Sequence, residues 1–251
     1  MKINNVKKNE YGNINNKEIK LEHGINIIQG KNESGKSTLL KAISGELEPA
    51  KGTIEIGPGE RLSVLSQDHF KYDEYKVLDT VLMGYKELWD VSKKRNELYS
   101  KSDFSEEDGI KVAEYEEQFA QMGGYDSEAN AGSLLEQLGI PVKKHQLYMK
   151  ELSGKEKVRV MRAQALFGEP DNLLLDEPTN DLALETVEWL EDYLGEIDEH
   201  QTVLVVSHDR HFLDAVSTQT IDIDFGKITV FAGNYSFWYE SSQLALRQAQ
   251  N

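Results

Sequence analysis

One stretch constrains this chain more than any other: "IIQGKNESGKSTLLKAISGE", residues 27–46, where Gly30 to Ser37 follow the spacing G-x-x-x-x-G-K-[ST]. An apolar run ends just before it, and Leu39, Leu40, Ile43 and Leu47 recur after it at helical spacing. The loop is therefore expected between a buried strand and a helix, the context that makes the pattern specific. Its glycines let the backbone fold back so that successive N–H groups point inward, and the helix N-terminus adds the positive end of its dipole. Such a cradle suits phosphate. Residues 31–38, with Asn32, Ser34, Gly35, Lys36, Ser37 and Thr38, would surround the phosphates of a nucleotide. Lys36 would reach the β- and γ-phosphates, and the Ser37 hydroxyl would ligate Mg²⁺. Tyr11 is the one aromatic ring upstream that could stack on the base.

A phosphate cradle of this kind needs a carboxylate on a neighbouring strand to hold the metal, and Asp176 ends the apolar run "NLLLD". Glu177 follows, placed to orient or deprotonate an attacking water. His208 comes after a further apolar strand, in "VVSHDR", where a neutral imidazole could contact the γ-phosphate or that water. Taken alone, a histidine there is more often a helix cap. Gln67 closes "RLSVLSQ" and could complete the metal or water shell, which by itself would mean nothing.

Along the chain, "KEIKLEHGINIIQ" reads as a half-buried strand feeding a buried one, and "GTIEIG" and "RLSVLSQ" as short strands around a "GPGE" turn. Leu88, Val91 and Leu98, then Val112, Tyr115, Phe119 and Met122, flank "SKSDFSEEDG" at helical spacing, which predicts a helical hairpin. An ordinary surface helix pair and a dedicated interaction arm fit that pattern equally. "LETVEWLEDYLGEI" reads as a helix, "TVLVVS" as a buried strand, "TIDIDFGKITVFAG" as a strand pair, and "SFWYESSQLALRQAQN" as a Ser-capped helix still running at the last residue. The expected organisation is a single domain over 1–251. Its α/β core is 1–75 and 150–235, and its helical subdomain is 76–149 with an arm-like insert at 85–125. Residues 236–251 would begin a truncated linker helix.

A net charge of −16 over 251 residues argues against a broad basic nucleic-acid face, since neutralised phosphates normally supply most of that affinity. No apolar run is long enough to cross a bilayer or act as a signal peptide, and there is no cysteine. Cytoplasmic residence without a membrane partner is the expectation.

Together with "LSGKEKVRVMRAQALF" ahead of "LLLDEPTND", these motifs resemble, in order, the P-loop, Q-loop, signature, Walker B, D-loop and H-loop of the ABC ATPase superfamily. The resemblance implies an α/β P-loop NTPase fold with a mixed sheet core, an antiparallel β subdomain and a helical subdomain. In that family two domains meet head to tail, so Ser153, Gly154, Lys155 and Glu156 would face a partner domain's ATP. "LLLDEPTNDLALETVEWLEDYL", "VVSHDRHFLDAV" and "GNYSFWYESSQLALRQAQ" look like the ABC-F group, closest to its YbiT-like branch. ABC-F proteins carry two ABC domains in tandem and act on the ribosome near the exit-site tRNA. The resemblance thus implies an ATPase that is slow as an isolated domain, a second ABC domain as partner, and only weak ribosome attachment for this piece. Residues 1–50 look more like the heads of SMC-type DNA-repair ATPases, which suits a chimera or a designed scaffold. A transporter ATPase subunit or a DNA-repair ATPase head would carry the same core motifs. Lys155 stands at a usual glycine, Asp181 at a histidine and Ala183 at the D-loop aspartate, which puts dimer-dependent hydrolysis in doubt more than nucleotide binding.

Overall fold

The computed structural model describes residues 2–7, 18–21, 23–29, 36–48, 51–65, 68–224 and 227–249. In chain order its elements are β1 (Lys2–Lys7), β2 (Glu18–Lys20), β3 (Gly24–Gln29), α1 (Lys36–Ile43), β4 (Lys51–Glu55), β5 (Leu62–Val64), α2 (Val77–Leu82), α3 (Lys86–Tyr99) and α4 (Glu106–Gln121). There follow α5 (Ser127–Gln137), α6 (Gly154–Leu166), β6 (Asn172–Asp176), α7 (Leu184–Gly195), β7 (Thr202–Val206), α8 (Arg210–Val216), β8 (Gln219–Asp224), β9 (Lys227–Ala232) and α9 (Tyr235–Ala249). The chain divides into two compact units, residues 1–65 with 170–251, and residues 66–169. This is the expected α/β architecture, with a mixed sheet, a separate antiparallel sheet and a helical subdomain.

In the first unit, β2, β1 and β4 form an antiparallel sheet, and a second sheet runs β5-β6-β7-β3-β8-β9. Pairing in the second sheet is parallel except for the β8–β9 hairpin. Every residue of β7 is buried, as are Asn172 to Leu175 of β6, so these strands have no polar face and read as continuous apolar runs. The two short strands around "GPGE" join different sheets, β4 pairing with β1 and β5 with β6.

Helix α1 lays Leu39, Leu40, Ala42 and Ile43 on Ile28, Leu174, Leu204, Val206, Ile221 and Ile223. The helix stops at Ile43, short of Leu47. Gly45 takes a left-handed conformation (φ +79°), and Leu47 N–H then closes onto the Lys41 carbonyl at 3.0 Å. The last helix begins at Tyr235, and its cap is Asn234, whose Oδ1 accepts Phe237 N–H at 3.1 Å. Ser236, the expected cap, instead donates its own N–H to Asp214 at 2.8 Å.

The second unit holds α2 to α6. Residues 150–169, assigned to the α/β core on sequence, cluster here because α6 packs on α2 and α5. Lys157 of α6 is buried and pairs with Asp73 at 2.5 Å, with its ammonium 4.9 Å from the Phe70 ring centre. The expected hairpin is α3 and α4, closed over Leu88, Val91, Val112 and Phe119. At its tip Ser105 and Asp108 form a reciprocal cap, and Lys101 contacts Asp108 at 2.8 Å. The Lys101 ammonium, with the cap, holds the Asp108 carboxyl down at about 2.

The approach of α2 to α6 depends on Gly84, where an added Cβ would fall 2.1 Å from the Gln164 carbonyl oxygen. That oxygen belongs to backbone and cannot swing aside. Gly84→Ala should cost at least about 1–3 kcal/mol, the range for forced overpacking, and lower the thermal midpoint followed by circular dichroism.

Candidate nucleotide site

Parallel strands deliver the site residues to one edge of the sheet. β3 ends at Gln29, β6 at Asp176 and β7 at Val206, and β7 lies between the other two. In open parallel sheets ligands gather at these carboxyl ends. Asp176 is half-buried where β6 emerges, paired across from Val206. The next residue donates its N–H to the Val206 carbonyl at 2.8 Å, so Glu177 extends the ladder by one bond. Its φ of +47° is left-handed, a conformation that costs a non-glycine residue roughly 1–2 kcal/mol. A tight turn follows, in which Leu182 N–H reaches the Thr179 carbonyl at 3.2 Å and Asp181 is left-handed at φ +58°.

After β7 the chain turns sharply. The buried Ser207 accepts Asp209 N–H on its hydroxyl at 3.1 Å, and Asp209 accepts Phe212 N–H at 3.1 Å, capping α8. Asp209, not His208, is therefore the helix cap. His208 projects from the turn with its side chain 75% exposed and meets Glu177 twice. Its backbone N–H donates to Oε2 at 3.2 Å, and its Nε2 lies 3.4 Å from Oε1. Glu177 is thus fixed in orientation by two contacts from one residue.

Burial pushes the Asp176 carboxyl above the usual carboxylate range, and the neighbouring Glu177 charge pushes it further. Lys36, the first residue of α1, and His208 act in the opposite direction. Two adjacent carboxylates at a partly buried strand end, opposed by a lysine, are a setting in which a divalent cation is favourable. Among the described residues no group of three or more His, Asp or Glu side chains could hold a metal by itself. Mg²⁺ usually takes one or two protein ligands and completes its shell with water and phosphate, and Asp176 at the strand end is a carboxylate that could serve as one.

The structure thus brings together Lys36, Asp176, Glu177 and His208 of the residues expected at the site. Ser37 and Thr38 continue α1. Tyr11, Asn32, Ser34, Gly35 and Gln67 lie outside the described residues. Ser153, Gly154, Lys155 and Glu156 belong to the second unit, at the N-terminus of α6, where Ser153 and Glu156 cap one another. Sequence reading missed Ser207, whose hydroxyl shapes the turn that presents His208; the S-x-D spacing before a helix was its signal.

Comparisons with known proteins bear on the fold and the family. The family model described as "ABC transporter" matches residues 14–180. The chain is 54% identical over 88% of its length to the uncharacterized ABC transporter ATP-binding protein YkpA of Bacillus subtilis, covering 41% of that protein. It is 50% identical over 82% of its length to the probable ATP-binding protein YbiT of Escherichia coli O157:H7, covering 38% of that protein. The energy-dependent translational throttle protein EttA of Escherichia coli O6:H1 is 31% identical over 88% of the chain, which covers 40% of it. The chain therefore spans about two fifths of the length of these relatives.

Among solved structures, an ATP-binding subunit of an ABC transporter superposes over 92% of the chain and 89% of its own, with a TM-score of 0.67 and 16% identity. A dimeric bacterial ABC transporter cassette superposes over 92% of the chain and 98% of its own, with a TM-score of 0.60 and 20% identity. One family model runs unbroken across residue 50, so the comparisons give no support to a chimera joined there or to a separate DNA-repair origin for the first fifty residues. No helix among the described residues is long and apolar enough to cross a membrane. With motif order, strand-end site and family match in agreement, the chain belongs to the ABC transporter family as an ATP-binding ABC domain.

Proposed function

We propose that this chain binds and hydrolyses ATP as one ABC domain of an ABC-F type protein. The observation that carries the reading is the Asp176–Glu177–His208 cluster at the edge from which the phosphate loop departs. Lys36 and the backbone of residues 31–38 would hold the phosphates, and Ser37, Asp176 and Gln67 would hold Mg²⁺, which supplies charge neutralisation at the β- and γ-phosphates. Glu177 would accept a proton from the attacking water, with His208 keeping its carboxylate aimed. The ABC-F assignment is supported by identity to YbiT, by EttA, whose name refers to translation, and by the α3–α4 hairpin as an arm toward a ribosomal partner.

A second ABC domain would complete each site through Ser153, Gly154, Lys155 and Glu156, a reading supported by the dimeric cassette of the same fold. Turnover should accordingly be slow in dilute solution and rise with protein concentration. The experiment that tests this measures ATP affinity and turnover in the parent, Lys36→Ala and Glu177→Gln. Lys36→Ala loses a charge-assisted contact, so affinity should fall about tenfold or more. Glu177→Gln should keep ATP and lose turnover. Unchanged affinity in the first variant, or unchanged turnover in the second, overturns the assignment.

Asp176→Asn separates stability from function. The folded carboxyl binds its proton more tightly than an unfolded one, so ionisation opposes folding at neutral pH. The variant should melt higher than the parent at pH 7 without nucleotide. That gain should shrink as pH falls through the raised folded value and vanish below the unfolded value of 3.8, where both states are protonated. Its ATP binding should no longer respond to Mg²⁺.

Ala183 is the N-cap of α7, and it offers no side-chain acceptor to the first turn. Ala183→Asp should supply one and stabilise the domain by roughly 1 kcal/mol, read as a higher thermal midpoint. The same variant should strengthen ATP-driven dimerisation, measured by sedimentation of the Glu177→Gln background with Mg-ATP.

A further inference from the structure

Glu156 is the hub of the α6 N-terminus. Its Oε2 accepts Ser153 N–H at 3.0 Å and the Ser153 hydroxyl at 3.0 Å, while its own N–H donates to Ser153 Oγ at 3.4 Å. Its other oxygen, Oε1, accepts from the Lys144 ammonium. Lys144 closes a 3₁₀ turn, Val142–Lys144, in which its N–H donates to the Pro141 carbonyl at 2.8 Å. The turn is anchored by the buried His145, whose ring nitrogen lies 2.9 Å from the Ile140 carbonyl and whose own carbonyl accepts Leu78 N–H at 3.0 Å. The lysine therefore projects from a fixed support. Both partners are partly shielded, with side chains 30% and 21% exposed, where a charge-assisted hydrogen bond keeps more of its strength than at an open surface.

From this geometry we infer that Lys144 is a positioning residue for Ser153, acting through Glu156. The inference rests on the reading that Ser153 contacts a nucleotide held by a partner domain. On that reading Glu156 brings a carboxylate beside an incoming phosphate, and Lys144 has two effects. It fixes Oε1, so Oε2 stays on Ser153 N–H and holds the serine at the helix N-terminus, while the hydroxyl turns its one hydrogen from Oε2 to the incoming phosphate. It also neutralises the carboxylate that would otherwise repel the phosphate. The same ammonium holds the Glu156 carboxyl below its ordinary range, so the group stays charged and needs that neutralisation throughout the neutral pH range.

The test compares ATP-driven dimerisation, by sedimentation with Mg-ATP in the Glu177→Gln background, for Ser153→Ala, Lys144→Met, Lys144→Arg and the double variant Lys144→Met with Glu156→Gln. ATP affinity of the dilute monomer and the thermal midpoint are measured alongside. Lys144→Met should weaken the dimer about tenfold, the size expected for one charge-assisted contact, with monomer ATP affinity unchanged. Lys144→Arg should keep the dimer. The double variant should recover most of the loss, because glutamine still caps the serine and carries no charge to repel phosphate. If Ser153→Ala weakens the dimer and Lys144→Met does not, the role of Lys144 is overturned. If neither has an effect, the reading of the signature segment falls, and this inference with it. A loss that tracks a lowered thermal midpoint and is not recovered in the double variant assigns Lys144 to structure alone and overturns the proposal.

Discussion

The position of β7 between β3 and β6 is the constraint on which the rest of the first unit depends. Its five residues, Thr202 to Val206, are all buried, so it can only sit in the middle of a covered sheet. Parallel ladders on both sides then set a common register, Asn26 opposite Leu204 and Leu174 opposite Leu204. With neighbouring strands about 4.8 Å apart, the strand ends must emerge side by side. A slip of one residue would turn each side chain of β7 to the opposite face and take Val206 away from the Glu177 N–H. Packing thus sets how far the end of β3 at Gln29 lies from the end of β6 at Asp176.

What can be read from the amino-acid order is what is local. The phosphate loop, the apolar runs that become β6 and β7, and the carboxylates at their ends are encoded in short contiguous stretches, and so are the amphipathic helices α3, α4 and α7. Contacts between distant segments are not legible. Nothing in "GTIEIG" and "RLSVLSQ" says that β4 leaves for the sheet of β1 while β5 stays beside β6; that follows from partners far away in sequence. The end of α1 is hidden because Leu47 keeps helical spacing while Gly45 has already turned the chain. His208 shows the same limit at the site. Its neighbours mark it for a role, but only the folded turn shows Asp209 taking the cap and leaving the imidazole to Glu177.

A net charge of −16 says little about where charge matters inside the fold. Several carboxylates partly withdrawn from water are each met by a particular cation. Asp73 has Lys157, Asp108 has Lys101, Glu156 has Lys144, and Asp176 feels Lys36. Asp176 differs from the others. Its neighbours leave it above its ordinary range, whereas Lys101 and Lys144 pull Asp108 and Glu156 below theirs. Burial raises the Asp79 carboxyl of α2 as well, so these two acids, and not Asp176 alone, stand above their ordinary range.

The left-handed backbone at Glu177 has a consequence for how such a domain can drift. Of the common residues, glycine adopts that conformation most easily and asparagine or aspartate next, while β-branched side chains resist it. Neutral drift toward stability would therefore replace the glutamate with residues that relax the turn, and each such step would remove the carboxylate that His208 holds or, with aspartate, draw it back by one methylene. On the proposed role of Glu177, the position is one where foldability and turnover pull in opposite directions. If Glu177 has the proposed role, keeping a glutamate there requires selection on the reaction itself, because selection on folding alone would discard it.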